Sequence, residues 1–314
     1  MKLNVKSILI LALSLLLPIS LAGCANTANT AKSAGKLKVV TSIYPVYEFT
    51  KQVGGDKVDV SMLVPQGAEP HDWEPTATQL IQIKSAKLFL YHGAGMENLD
   101  KILNQDTLGT AKAVAVSQNI QPLNEEHTGE NEADHSAGHN HPDAHMWLDP
   151  LSAQQEVLNI AQALQAVDPE NSDYYKQNAE KYNKELAQLD QEYQRTLNNL
   201  PRRDIITSHA AFSYLTKRYN LTQVAIMGLA PDSEPTPEKL ANIIDFCKKH
   251  KVKYIFFETL VSPKLSETVA RETGAKLLVL NPLESLTVDE TNQGKNYITV
   301  MQDNLANLKI ALSE

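Results

Sequence analysis

Cysteine is nearly absent from this 314-residue sequence, which contains only Cys24 and Cys247. Two cysteines cannot build a cysteine-rich metal cluster, and Cys247 falls in an apolar helical pattern typical of a small buried side chain. Basic residues are also few, because 29 Lys and Arg stand against 37 Asp and Glu. This acidic balance argues against nucleic acid as a partner and suits a protein that handles cations.

Several familiar catalytic and cofactor motifs are missing as well. The sequence has no HExxH pair of a zinc peptidase and no nucleophile elbow of an α/β-hydrolase. The stretch from His92 to Gly95 has two glycines but lacks the third glycine of a dinucleotide-binding loop. The sequence therefore does not predict an enzyme of these classes.

The N-terminus has the pattern of an export signal. Two lysines precede an apolar run at residues 8–17 that is too short to span a bilayer, and the tetrapeptide LAGC resembles a lipobox. We therefore predict a lipoprotein signal peptide at residues 1–23, lipidation of Cys24 and a flexible polar tether at residues 24–36. Lipidation of Cys24 leaves no internal disulfide. Without the two lysines, 27 basic residues face 37 acidic ones, a mature net charge of −10.

The rest of the chain alternates apolar strands with helices, which predicts an α/β fold of two βα lobes. We assign residues 37–168 to an N-terminal lobe and 202–314 to a C-terminal lobe, each a roughly four-stranded sheet flanked by helices. Residues 169–201 carry apolar side chains at three- and four-residue steps, which predicts one rigid linking helix about 45 Å long. Because this helix lacks sustained heptads, we expect a monomer and not a coiled-coil dimer.

The most unusual stretch of the sequence is a histidine-rich segment at residues 127–145. It contains five of the nine histidines and almost no apolar residue before Met146 and Trp147. This composition predicts a mobile loop that ends at an ordered wall, and histidine-rich tracts suggest metal binding. The alternative is a solvated insert without function. The accessory ligands predicted for this loop are His127, His135, His139 and His141.

Four other candidate ligands share one feature, since each lies in a loop beside the end of a core element. Open α/β sheets place ligands at the carboxyl ends of their strands, and pockets form where domains meet. Two candidates belong to each lobe, so we predict one metal site in the cleft between the lobes. The candidates are His71, His145, His209 and Glu284.

Three imidazoles and one carboxylate suit Zn²⁺, which accepts nitrogen and oxygen donors in tetrahedral geometry. Mn²⁺ is a harder ion and favours more oxygen ligands. Each histidine must be neutral to bind, so affinity should fall as the pH drops below about 6.5. A zinc hydrolase could use Glu69 or Asp72 as a base, but a carboxylate in the fourth position closes the site to water.

Five segments of the sequence carry a family resemblance, and they occur in a fixed order around the long helix. They are TSIYP, GAEPHDWEPT, HMWLDP, TSHAAFSYL and NPLESLT. With them the chain resembles the zinc-binding branch of the metal-specific solute-binding lipoproteins of bacterial ABC importers. By position, His71, His145 and His209 match the three histidine ligands of that family, and Glu284 matches its closing carboxylate. Manganese and iron binders usually have Glu at the third position, and manganese binders usually have Asp at the last.

The resemblance implies a C-clamp-like body with limited hinge closure that is anchored outside the cytoplasm through Cys24. It further implies Zn²⁺ capture and delivery to an ABC permease without enzymatic activity, with the histidine-rich loop collecting or sensing zinc. A Mn²⁺ or Fe²⁺ binder of the same architecture and a surface adhesin are the alternatives. The chain departs from some zinc relatives because it cannot form their C-terminal disulfide and because its histidine-rich loop is shorter.

Overall fold

A computed structural model describes residues 35–123, 142–231 and 235–314. Residues 1–34, with the predicted signal peptide and Cys24, lie outside this part of the chain. So do the four accessory histidines of the loop, His127, His135, His139 and His141. Within the described ranges, no helix is both long and apolar enough to cross a membrane.

The first lobe is built on a sheet of four parallel strands in the spatial order β2-β1-β3-β4. Val39 and Val40 of the central strand are buried, as expected for a parallel sheet covered on both faces. The strands are β1 (Leu37–Thr41), β2 (Val58–Met62), β3 (Leu88–Tyr91) and β4 (Lys112–Ala115). The flanking helices are α1 (Tyr44–Gly54), α2 (Ala77–Ser85), α3 (Gln105–Leu108) and α4 (Pro150–Val167).

Local signals explain where these helices begin and end. Proline occupies the first turn of α1, where its missing N–H costs no hydrogen bond, and Gly55 ends that helix at φ 52°. Thr76 starts α2 with a reciprocal capping box, since its hydroxyl accepts from the Gln79 N–H and the Gln79 side chain reaches back. Helix α1 follows the carboxyl end of β1, and α2 follows the loop at the carboxyl end of β2. Both connections therefore lie at the same edge of the parallel sheet.

The second lobe consists of two pairs of parallel strands, and β5 lies beside β7. This differs from the predicted four-stranded sheet in one respect, because the described strands form two separate ladders. Past the strand ends, the Glu258 side chain and not a backbone carbonyl accepts from Ser208 and His209. The strands are β5 (Asp204–Thr207), β6 (Thr222–Ala225), β7 (Tyr254–Phe257) and β8 (Lys276–Val279). The helices are α6 (Ser213–Arg218), α7 (Pro237–Lys249), α8 (Lys264–Thr273), α9 (Val288–Asn292) and α10 (Tyr297–Leu312).

One long helix, α5 (Ser172–Leu197), links the lobes. Its 26 residues span about 39 Å, a little less than predicted, because Pro169–Asn171 forms a separate 3₁₀ turn and the helix ends at Leu197. The helix packs against α1 and α4 of the first lobe and against α10 of the second. The apolar residues of its buried stripe are Tyr175, Ala179, Tyr182, Leu186, Leu189, Tyr193 and Leu197.

The largest apolar cluster contains residues of both lobes and of the linking helix. Phe49 of the first lobe meets the ring of Tyr297 of the second at 4.9 Å, and the hydroxyl of Tyr193 on α5 donates to the carbonyl of Met301 at 2.6 Å. A shared core of this kind restricts movement between domains. The predicted fold class, two βα lobes joined by a long helix, is confirmed.

Candidate metal centre

His71 lies in the loop that follows β2, between Pro70 and the start of α2. The chain turns back at Trp73, whose N–H donates to the Pro70 carbonyl at 3.2 Å. Glu69 fixes the backbone of the loop, because one of its carboxylate oxygens accepts from the His71 N–H at 3.0 Å. Burial, and then the charge of Glu284, raise the pKa of Glu69 to about 8. The loop therefore directs the His71 imidazole toward the other lobe.

His145 immediately precedes the 3₁₀ turn Met146–Leu148, ahead of α4. Asp143 accepts from the His145 N–H at 2.9 Å, and the same oxygen lies 2.8 Å from the ring Nδ1. Asp149 caps α4 by accepting from the Leu151 N–H at 3.1 Å. These two carboxylates fix the turn, and the turn leaves Nε2 of His145 facing the cleft.

His209 and its surroundings repeat this arrangement in the second lobe. The residue follows β5, and its carbonyl accepts from the Thr207 hydroxyl at 2.8 Å. A carboxylate oxygen of Glu258, just past the end of β7, lies 2.7 Å from His209 Nδ1. Carboxylates in this position hold an imidazole in one orientation and raise its basicity as a ligand. Nε2 of His209 is thereby left free to face the cleft.

Glu284 follows β8 through a strained turn. Leu283 has φ 60°, a left-handed conformation that is rare for a residue with a branched side chain. Its N–H donates to Oδ1 of Asn281 at 2.8 Å, and the Asn281 N–H in turn donates to Oδ1 of Asn304 on α10 at 2.8 Å. This hydrogen-bonded turn carries the Glu284 carboxylate into the cleft.

The four predicted ligands converge on one point. One possible ligand atom from each of His71, His145, His209 and Glu284 lies within 4.8 Å of all the others. The Oε1 atom of Glu284 stands at the centre, 2.9 Å from His145 Nε2 and 3.3 Å from Nε2 of both other histidines. Three of the side chains are at most 1% exposed, and His71 is 12% exposed. The site is thus a nearly closed cage with His71 at its entrance.

Protonation of this cage is set by the carboxylates around it. Burial alone would lower the pKa of His145, but its hydrogen bonds to Asp143 and Glu284 raise the pKa to about 9. Burial opposes the charged form of His209 too, and Glu258 and Glu284 raise its pKa well above the usual range. The imidazoles outweigh burial at Glu284 and hold its pKa well below the usual range. A divalent cation entering the cage would have to displace protons.

Sequence reasoning missed the groups that support the ligands. Asp143 precedes His145 by two residues. Glu258 lies just past the end of β7, so the criterion that selected loop residues beside the ends of core elements could have included it. Trp147 was recognised only as the start of ordered structure, yet its indole N–H donates to the carbonyl of Pro282 in the other lobe at 2.8 Å.

Asp72, one of the two conceivable hydrolase bases, is exposed, whereas the Glu69 carboxylate accepts from the backbone N–H of His71.

Comparisons with known proteins agree on one family. The family model described as "Zinc-uptake complex component A periplasmic" (ZnuA) matches residues 39–311. The high-affinity zinc uptake system protein ZnuA of Bacillus subtilis is 42% identical over 301 residues, which cover 93% of either chain.

Solved structures give the same result. The Zn(II)-bound ZnuA-like domain of Streptococcus pneumoniae AdcA matches with a TM-score of 0.75 and 40% identity over 89% of this chain and 100% of that chain. The chain spans 57% of the whole zinc-binding lipoprotein AdcA, to which it is 41% identical over 90% of its own length. Laminin binding protein (Lmb) of Streptococcus agalactiae, described as a bifunctional protein with adhesin and metal transporting activity, matches with a TM-score of 0.78 and 35% identity over 88% of this chain and 99% of that chain. The chain belongs to the ZnuA family of zinc-uptake components.

Proposed function

We propose that this protein captures Zn²⁺ outside the cytoplasm and delivers it to an ABC permease. The observation that carries the proposal is the convergence of His71, His145, His209 and Glu284, from four separate loops, within 4.8 Å. Three nitrogen donors and one oxygen donor suit tetrahedral Zn²⁺. The carboxylates that face Nδ1 of His145 and of His209 leave Nε2 of each imidazole available for the metal.

The donor set also favours zinc over the alternatives of the same architecture. Mn²⁺ binds carboxylate and carbonyl oxygens in six-coordinate sites, whereas this cage offers three imidazoles and one carboxylate. The cage is closed by protein donors on four sides, so no position is left for the activated water that a zinc hydrolase needs. We therefore propose that the protein is a carrier of the ion and has no enzymatic activity.

Several parts of the proposal concern residues outside the cage. We propose removal of residues 1–23, lipidation of Cys24 and tethering of the folded body to the membrane through residues 24–36. Residues 37–168 and 202–314 would act as the lobes and 169–201 as their link. The histidine-rich loop at residues 127–145 would collect zinc or sense its abundance with His127, His135, His139 and His141. The protein would work as a monomer.

Native mass spectrometry of the mature protein after exposure to mixed metals tests the proposal. We expect one tightly held zinc ion that survives deletion of residues 127–141 and is lost in His145→Ala, while more weakly held ions disappear with the deletion. His250→Ala is the matched control, since His250 lies at the end of α7, far along the chain from the four ligands. Preferential retention of Mn²⁺ by the unmutated protein would favour the manganese or iron alternative.

Surface adhesion is a second candidate because of the likeness to Lmb, whose described activities include adhesion. Binding to immobilised laminin, measured with and without a chelator, separates the two activities. Retention of binding in the chelator and in His145→Ala would support adhesion independent of the metal. Loss of laminin binding in either condition would indicate a metal-mediated artefact.

A further inference from the structure

Trp147 is held by hydrogen bonds to the second lobe at two points. It follows the candidate ligand His145 by two residues and is completely buried. Its indole N–H donates to the carbonyl of Pro282 at 2.8 Å, and its own carbonyl accepts from the Tyr297 hydroxyl at 2.5 Å. Pro282 precedes Glu284 by two residues, so Trp147 lies between a ligand of the first lobe and a ligand of the second.

Trp147 contacts the strained turn that contains Leu283. A left-handed residue such as Leu283 persists only where its surroundings fix it from several sides. Asn304 of the second lobe fixes this turn from one side, through its hydrogen bonds with Asn281 at 2.8 and 2.7 Å. Trp147 reaches the same turn from the first lobe, through its hydrogen bond to the Pro282 carbonyl.

The indole itself has little freedom to turn. The buried His92 ring meets it edge-on, with ring centres 4.9 Å apart and an angle of 89° between the planes. The His145 ring lies on another side with its centre at 5.3 Å. In a core packed this closely, rotation of the indole would require both neighbours to move. The N–H of Trp147 therefore has a fixed direction toward Pro282.

From these contacts we infer that Trp147 is a positioning residue for the metal, which sets the Glu284 carboxylate relative to His145 through its hydrogen bond to Pro282. This inference rests on the proposed zinc function. Ligands held by fixed outer groups bind a metal more tightly and with less variation in geometry. Without the indole N–H, the Pro282 carbonyl loses its partner and the turn can relax, so Glu284 moves away from its place among the three imidazoles.

Trp147→Phe removes the N–H and keeps an aromatic ring in the core. The matched control is Tyr175→Phe, which also removes one hydrogen-bond donor from a buried aromatic ring. The Tyr175 hydroxyl on α5 donates to an Asp168 carboxylate oxygen at 2.5 Å, and neither residue belongs to the metal cage. In chelator competition we expect the zinc dissociation constant of Trp147→Phe to rise by about 10- to 100-fold, and that of Tyr175→Phe to stay within about twofold. We also expect the visible spectrum of the Co²⁺-loaded variant to lose intensity and shift as the four-coordinate geometry loosens.

A second variant keeps the test valid if Trp147→Phe does not fold. In it, 3-benzothienylalanine is incorporated at position 147 alone, so sulfur takes the place of the N–H in a ring of almost the same shape. The same losses are expected there. Wild-type affinity and an unchanged Co²⁺ spectrum in this protein would overturn the positioning role. Failure of the unmutated protein to bind zinc would instead refute the proposed function, so the two failures are distinguishable.

Discussion

Asp143→Asn should weaken zinc binding by an amount that depends strongly on pH. In the wild type, the Asp143 carboxylate lies 2.8 Å from Nδ1 of His145 and is 1% exposed. It has two effects on the same imidazole. It orients the ring and makes it a better ligand, and together with Glu284 it overcomes burial and raises the pKa of His145 to about 9. The first effect strengthens metal binding and the second makes protons compete with the metal.

The two effects can be given magnitudes. Loss of an orienting carboxylate costs about 10- to 100-fold in metal affinity, or about 1.4 to 2.7 kcal/mol. At pH 7 an imidazole with a pKa of about 9 is neutral in only about one molecule in 100, so proton competition weakens binding by about 100-fold. Asp143→Asn relieves part of that competition. We therefore expect the full loss of affinity near pH 9 and a much smaller loss near pH 7.

Chelator competition between pH 6.5 and 9.5 measures this difference directly. Asp190→Asn is the matched control, because Asp190 is also buried and accepts from the Tyr219 hydroxyl at 3.1 Å, but lies on α5 outside the metal cage. Its affinity profile should follow that of the wild type. The reasoning would be refuted if the profile of Asp143→Asn ran parallel to the wild type across the whole pH range.

Three further predictions concern the same cage. The metal-free protein should lose stability as the pH rises from about 6.5 to about 9. The protonated His145 imidazole, whose pKa is raised to about 9 in the fold, stabilises the folded state, and this contribution is lost as the imidazole deprotonates. A thermal unfolding midpoint that rises over this range in a chelator would contradict the prediction. Zinc binding at pH 7.5 should release about two protons, from His145 and His209, whose pKa values are both raised. Calorimetry in buffers of different ionisation enthalpy counts the released protons. Release of fewer than about one proton per zinc ion would argue against this prediction. His209→Glu should shift preference toward Mn²⁺ by adding an oxygen donor, and equilibrium dialysis against both metals would show an unchanged ratio if this is wrong.

The convergence of the candidate ligands could be anticipated from the sequence because each one lies in a loop beside the end of a core element. His209 comes directly after an apolar strand, and His71 lies in a proline-framed loop after another. In parallel sheets such loops gather at one edge. What the sequence could not distinguish is a ligand from the residue that supports it. Glu258 and Glu284 both follow strands, and only the direction of the side chain separates their places in the cage.

The parts of the fold that escaped prediction depend on tertiary contacts. The left-handed conformation of Leu283 has no sequence signal, because a glycine or asparagine would be expected at such a position. The Leu283 N–H donates to Oδ1 of Asn281, and Trp147 contacts Pro282 from more than 100 residues away along the chain.

The proposed exchange of protons for zinc would also balance the charge of the buried cage. Burying an isolated charge is costly, so a cage that simply lost its ion would leave Glu284 and the carboxylates behind the imidazoles uncompensated. The raised pKa values of His145 and His209 supply the compensation, because two protons carry the same charge as one Zn²⁺. Exchange between protons and zinc then leaves the net charge of the core unchanged. The lobes also share one apolar core, which restricts movement between them.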